Sequence, residues 1–275
     1  MTMKEIRVER DGDVAVVHIA NAVRMNPLTV TMQTELRECL ASLRADRSAR
    51  ALLLTGEGKA FCAGADLSGM RATYGGVPGD SDGRTLGQRT ADIMREQSNR
   101  LVQELRELPI PVVCALNGAA VGGGVGLALA ADVVIAASSA YFYLPSLPRL
   151  GIVPDLGATW FMSRLVGRAR AAGFMLSGNR LSAERAERWG LVWACVDDAA
   201  LLVEALTVAR RLAAQPAHAV LEVRHALDAA DRCSLAEQLD YEAERQRELI
   251  DRPEFAEGVR AFIEKREPDF KTRSE

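Results

Sequence analysis

The stretch from Pro111 to Ala137, PVVCALNGAAVGGGVGLALAADVVIAA, constrains this chain more than any other. Its first residues, Pro111 to Leu116, are apolar and uncharged, the pattern of a buried strand. Asn117-Gly118 breaks the strand, Gly122-Gly123-Gly124 comes next, and Val125 to Ala131 continues as a helix of small residues. A strand, a glycine turn and a buried helix start together leave backbone N–H groups aimed at open space. The first N–H groups of a helix have no intrahelical acceptor, and the macrodipole adds positive potential there. Adjacent glycines let a ligand atom reach the main chain with no Cβ in the way. Two readings are open: a site for an oxygen that carries or acquires negative charge, or tight packing of a helix on a sheet.

The remaining composition narrows the class. A chain of 275 residues suits one large domain, or one domain with an appendage. With 34 Lys and Arg against 37 Asp and Glu, the net charge of −3 gives no reason to expect a nucleic-acid or anionic-membrane partner. Cys39, Cys62, Cys114, Cys195 and Cys233 are odd in number and lack CxxC spacing, which argues against a disulfide framework and a zinc site. No basic-then-apolar leader and no uncharged run of 18 apolar residues occurs, so a cytoplasmic location is expected.

Taken in order, Ile6–Glu9 and Val14–Ala20 read as strands joined at Asp11-Gly12-Asp13, and Thr29 or Thr31 as the cap of a helix reaching Arg44. Arg50–Thr55 is a buried strand. Phe61–Leu67, FCAGADL, is a second unusual turn, in which Asp66 can cap the helical turn after it. Ser68 to Gly87 has no apolar period and reads as a mobile loop in the position of a lid. Thr90–Glu107 reads as an amphipathic helix with Ile93, Leu101, Val102 and Leu105 on its apolar side. Strands are expected at Val133–Ala137, Ala140–Leu144 and Leu191–Val196, with a loop over Ser146–Thr159 and helices at Trp160–Val166, Ala169–Leu176 and Ser182–Trp189. From about Asp197 the pattern is helical alone, which places a boundary near residue 200: a core over 1–200 and a helical region over 201–275.

Several chemistries lack their residues. Gly122 and Gly124 are followed by Leu127, and Gly124 and Gly126 by Leu129, where a GxGxxG dinucleotide motif needs glycine. No GxxxxGK[ST] and no GxSxG elbow occurs. What remains is a pair of glycine-flanked turns, each with backbone donors, able to converge on one oxygen as an oxyanion hole. A thioester carbonyl that becomes enolate-like on loss of an α-proton suits such a hole, and a carboxyl tuned by burial can move the proton.

Gly58-Lys59-Ala60-Phe61-Cys62-Ala63-Gly64-Ala65-Asp66-Leu67 and Asn117-Gly118-Ala119-Ala120-Val121-Gly122-Gly123-Gly124 resemble the crotonase superfamily of enoyl-CoA hydratases and isomerases. The resemblance runs from the Asn26-Pro27-Leu28-Thr29 loop to Ala261–Arg266. It implies an α/β fold, a spiral of ββα units followed by a helical trimerisation region, and a homotrimer or homohexamer. It implies an acyl-CoA substrate, with coenzyme A as part of that substrate and no separate cofactor. It makes the N–H groups of Ala65 and Gly123 the oxyanion donors. It places the nucleotide end of coenzyme A near Arg24, Lys59 and the Ala63–Asp66 turn, with Phe262 and Lys265 supplied by a neighbouring subunit. For the basic residues the alternative is a solvated surface charge, and for Asp66 and Asp132 a turn-holding role.

Departures from the family are as informative. Hydratases of this superfamily carry two glutamates; the matching positions here are Gly126 and Leu147, neither ionisable. Asp155 resembles the acid of the superfamily's dienoyl-CoA and ring-type enoyl-CoA isomerases, and a single base suits double-bond migration better than water addition. Its alternative is a helix N-cap ahead of Leu156–Thr159. Expected activity is therefore a double-bond shift in an enoyl-CoA. A hydratase or thioester hydrolase with another base, and a catalytically silent acyl-CoA binder, stay open. Met70, Tyr143, Leu144, Leu147 and Trp160 are candidate cavity lining or core.

Overall fold

The strands divide between two sheets, two at a time along the chain. A computed structural model describes residues 3–46, 48–67, 83–216 and 218–270. Strand β1 (Ile6–Asp11) pairs antiparallel with β2 (Val14–Ile19). Helix α1 (Val30–Ala45) follows, with the Thr29 hydroxyl accepting from Met32 N–H at 3.0 Å as its N-cap. Three strand pairs come next: β3 (Ala51–Gly56) with β4 (Ala60–Cys62), β5 (Val112–Leu116) with β6 (Ala119–Val121), and β7 (Val133–Ala137) with β8 (Tyr141–Tyr143). The first member of each pair joins a six-stranded sheet completed by β10 (Ala194–Val196), in the order β1-β2-β3-β5-β7-β10. The second joins a smaller sheet completed by β9 (Leu181–Ser182), in the order β4-β6-β8-β9.

Apart from the β1–β2 edge the large sheet is parallel, and a parallel sheet covered on both faces needs apolar strands. All six residues of β3 and all five of β5 are buried. Helices α2 (Leu86–Ile93) and α3 (Asn99–Arg106) are continuous through a π-turn at Met94–Ser98. Leu101, Val102 and Leu105 are buried as expected, but Ile93 is 47% exposed. The extra residue per turn of the π segment shifts the helix phase, so an apolar stripe extrapolated across it loses Ile93.

Helix α4 (Gly123–Leu129) starts two residues before its expected first turn at Val125. Helix α5 (Ser146–Leu150) lies inside the segment expected as a loop; it is a single turn closed by Gly151 with φ 67°. The two helices expected after it are one, α6 (Ala158–Ser177), kinked at Gly167, where φ 76° and ψ 159° leave the helical region. α7 (Ala183–Trp189) is capped by Ser182. Of the loop expected at 68–87, residues 68–82, Met70 among them, lie outside the described residues, and Leu86 and Gly87 already belong to α2, whose cap is Thr85.

The last described strand ends at Val196. Helix α8 (Leu201–Ala213) then lies on the six-stranded sheet, burying Leu201, Ala205, Ala209 and Ala213, a spacing of four that gives one face; the three alanines let it sit close. α9 (Ala219–Ala230) is held by Arg224, which is 6% exposed. Its guanidinium donates to both oxygens of Asp132 and to the carbonyls of Arg106, Leu108 and Ile110. Asp132 Oδ2 also accepts from Val112 N–H at 2.7 Å, so Asp132 holds a turn and an ion pair at once. α10 (Leu235–Ile250) buries none of its residues, and α11 (Pro253–Glu264) buries Ala261.

Candidate active site

Strands β4, β6 and β8 run parallel side by side, so their C-terminal ends emerge at one edge. The Ala63–Asp66 turn leaves the first, the triple glycine the second, and the segment leading to Asp155 the third. Gly64 takes φ 82°, and a Cβ on it would stand 2.6 Å from the Val121 carbonyl oxygen. Gly122 takes φ 53° and donates to the Tyr143 carbonyl at 2.9 Å. The two turns therefore meet backbone to backbone, a contact that side chains would prevent.

Peptide planarity fixes where the donors point. Leu28 N–H donates to the Gly64 carbonyl at 2.8 Å, within a parallel bridge between Leu28 and Ala65. In a trans peptide the C=O and the next N–H are opposed, so Ala65 N–H points away from Leu28. Val125 N–H donates to the Gly122 carbonyl at 3.0 Å, which likewise turns Gly123 N–H outward from the first turn of α4. Gly123 faces the Leu28 side chain: a Cβ on it would meet Leu28 Cδ1 at 2.7 Å.

The same built Cβ would lie 3.3 Å from Asp155 Oδ1 and 3.2 Å from Leu156 Cδ1. The N-cap alternative for Asp155 is not formed. The cap of α6 is Gly157 in the left-handed region at φ 77°, with no side-chain cap bond, and Asp155 contributes its backbone carbonyl to Ala158 N–H at 2.9 Å. Its carboxyl is left to the site. Burial pushes that carboxyl above the usual aspartate range, and its own backbone N–H offsets part of the rise. Burial, with the Asp155 charge acting in the same direction, pushes the Cys62 thiol up to about 12, which keeps it protonated at neutral pH. Gly126, in the first hydratase-glutamate position, is buried against the Leu156 backbone, and Leu147 in the second is 43% exposed.

The rim is built from the loop before α1. Ala63 N–H donates to the Met25 carbonyl at 3.0 Å. Asn26, fully buried and left-handed at φ 55°, donates to the carbonyls of Glu57 and Ala60 and accepts from Asn21 N–H. Arg24 pairs with Asp66 at 2.7 Å, so Asp66 holds its turn through an ion pair. Exposed Lys59 follows Gly58, which packs on Ala22 two residues before Arg24; Arg24, Lys59, Ala63 and Asp66 thus share one rim. Phe262 and Lys265 are not joined to it: α11 packs on α10, and Phe262 is 86% exposed. Of the expected lining, Leu144 is buried while Trp160 is partly exposed beneath the Arg164 guanidinium. A cavity of about 980 Å3 bounded by Asp132, Trp160, Val223, Arg224 and Leu227 lies between α9 and the core, and neither donor nor Asp155 lines it.

Sequence reasoning missed Leu28, Asn26 and Leu156. Asn before Pro carries a weak signal, because Asn tolerates the left-handed region. Leu156, at φ 48°, carries none.

Two facing turns with outward backbone N–H groups and a buried carboxyl beside one of them have the geometry an acyl-transfer or enolate-forming site requires. The sequence model of the enoyl-CoA hydratase/isomerase family matches residues 9–273. The chain is 42% identical over 247 residues to the 1,2-epoxyphenylacetyl-CoA isomerase of Escherichia coli, covering 90% of each chain. It is 40% identical over 273 residues to a probable enoyl-CoA hydratase of Rhodobacter capsulatus, covering 99% of this chain and all of the other. The crystal structure of enoyl-CoA hydratase from Bacillus anthracis superposes with a TM-score of 0.87 at 32% identity, over 98% of this chain and 100% of that one. The chain belongs to the enoyl-CoA hydratase/isomerase family, the crotonase superfamily, and is an acyl-CoA enzyme with that fold. Among the described residues no helix is long and apolar enough to cross a membrane.

Proposed function

We propose that this enzyme shifts a carbon–carbon double bond within an enoyl-CoA thioester. The observation that carries the reading is the Asp155 carboxyl beside Gly123, with no side-chain capping duty and with Gly126 and Leu147 in the positions where the family's hydratases carry their two glutamates. The thioester oxygen accepts from the N–H groups of Ala65 and Gly123. Ionised Asp155 removes a proton from the α-carbon; the electron pair moves onto the oxygen as a dienolate. The same carboxyl returns the proton to the γ-carbon, the oxygen charge collapses, and the double bond moves one place with no net change in protons. A carboxyl raised by burial is a stronger base than an exposed one, and it is carried by a site that holds the enolate.

The 42% identical relative is by name an isomerase of an acyl-CoA, 1,2-epoxyphenylacetyl-CoA, which supports isomerisation over water addition without specifying the bond that moves. In this reading Arg24, Lys59, Ala63 and Asp66 contact coenzyme A. Residues 201–275 form the oligomerisation region of a cytoplasmic homotrimer or homohexamer, in which exposed Phe262 and Lys265 reach a neighbour's nucleotide. A substrate panel tests the reaction type. Purified enzyme should convert 3-enoyl-CoA or diene-CoA esters faster than it hydrates crotonyl-CoA or hydrolyses either thioester. Hydration of crotonyl-CoA at the higher rate would replace the isomerase reading with the hydratase one.

A further inference from the structure

We propose that Gly126 is a positioning residue for Asp155, acting by leaving room for the Leu156 carbonyl. The inference rests on the reading of Asp155 as the base. A Cβ built on Gly126 would stand 2.1 Å from the Leu156 oxygen, 2.8 Å from its carbonyl carbon and 2.9 Å from its Cβ. The obstacle is main chain, so no side-chain rotation relieves it. Leu156 and Gly157 are successive left-handed residues, at φ 48° and 77°, and Leu156 is 4% exposed. This turn touches α4 twice on one face: the Leu156 carbonyl lies on Gly126 and the Leu156 side chain lies by Gly123, three residues earlier. It cannot retreat freely, because Gly157 backs onto the Phe161 ring, 2.9 Å from where its own Cβ would be. The bond from Ala158 N–H to the Asp155 carbonyl ties the turn to α6.

Asp155 precedes this clamped turn and reaches Gly123 because of it. A methyl group at position 126 must lift the turn off α4 and carry the carboxyl with it. A carboxyl misplaced by about 1 Å loses about 10²-fold in rate.

The test measures kcat and KM for the double-bond shift, binding of a saturated acyl-CoA, and the thermal midpoint of the full-length enzyme. Gly126→Ala should lower kcat by about 10²-fold while acyl-CoA binding stays within about twofold. In an Asp155→Asn background the same substitution should cost nothing further, since it acts through that carboxyl. If Gly126→Ala alone does not fold, the comparison moves to the Leu156→Gly background, where a flexible position 156 lets the carbonyl move aside. The penalty of Gly126→Ala should be smaller there than in wild type or, failing a folded single variant, under about tenfold relative to Leu156→Gly. Wild-type kcat in Gly126→Ala, or an undiminished loss in the Asp155→Asn background, would overturn the positioning role. A wild-type rate for Asp155→Asn itself would strike the base assignment, a separate failure.

Discussion

Oδ1 of Asp155 lies 3.3 Å from the point where a Cβ on Gly123 would stand, so the one residue of the triple glycine that begins α4 shares its open side with a carboxyl. Gly123 and Asp155 belong to segments 32 positions apart, brought together because β6 and β8 are parallel neighbours.

Gly123→Ala tests that shared space. Its Cβ would meet Leu28 Cδ1 at 2.7 Å and Leu156 Cδ1 at 3.2 Å, both flexible side-chain ends, so folding should survive. The methyl group would intrude where the thioester oxygen and Asp155 meet. In Gly123→Ala, kcat should fall by about 10²-fold, the cost of one impaired oxyanion donor, with an unchanged thermal midpoint. Steady-state kinetics and calorimetry check both.

The raised position of Asp155 gives a pH signature. The base must be ionised, so kcat/KM should rise with pH through a midpoint above the ordinary aspartate value near 3.8. Stability runs the other way. A carboxyl whose folded pKa is raised favours the fold while protonated, and that contribution is lost as pH climbs from the ordinary value through the raised one. Asp155→Asn should therefore be more stable than wild type at neutral pH, with the difference shrinking towards pH 3. Denaturant melts across that range read it.

The rim residues predict a binding effect. Arg24→Gln and Lys59→Gln should each raise KM for the acyl-CoA several-fold while leaving kcat in place, the pattern of lost uniform binding. Because both side chains are largely exposed, the difference from wild type should shrink as salt is raised. Initial-rate series at low and high ionic strength check it.

Arg224→Met isolates the anchoring of α9. It leaves Asp132 charged and poorly exposed without its partner, at a cost of ~3–5 kcal/mol. Asp132→Asn with Arg224→Met should recover part of that loss. Chemical denaturation of Arg224→Met, Asp132→Asn and the double variant measures the coupling.

Much of this architecture was legible in the chain. The strand in Pro111–Leu116, the capped helix after Thr29 and the helical character of the chain after Asp197 follow from apolar periodicity and capping residues. Ile93 was misplaced because a π-turn shifts helical phase without a mark in composition. The three-residue strand β6 was missed because Ala119–Val121 is too short to show alternation beside glycines. Within the candidate site, the nearness of the two glycine turns follows from their spacing, and Asp155 stands out through the family resemblance. The Leu156 turn was not legible. A leucine in the left-handed region is held by tertiary contacts with Gly126 and Gly123, and no local pattern encodes contacts of that kind.

Asp155, proposed as the group that moves the proton, is best probed by its own isosteric variant. For Asp155→Asn, the double-bond shift of a 3-enoyl-CoA, measured at saturating substrate with acyl-CoA binding verified, should lose about 10²–10⁴-fold in kcat with binding retained. A rate equal to that of the wild-type enzyme would mean that another group moves the proton.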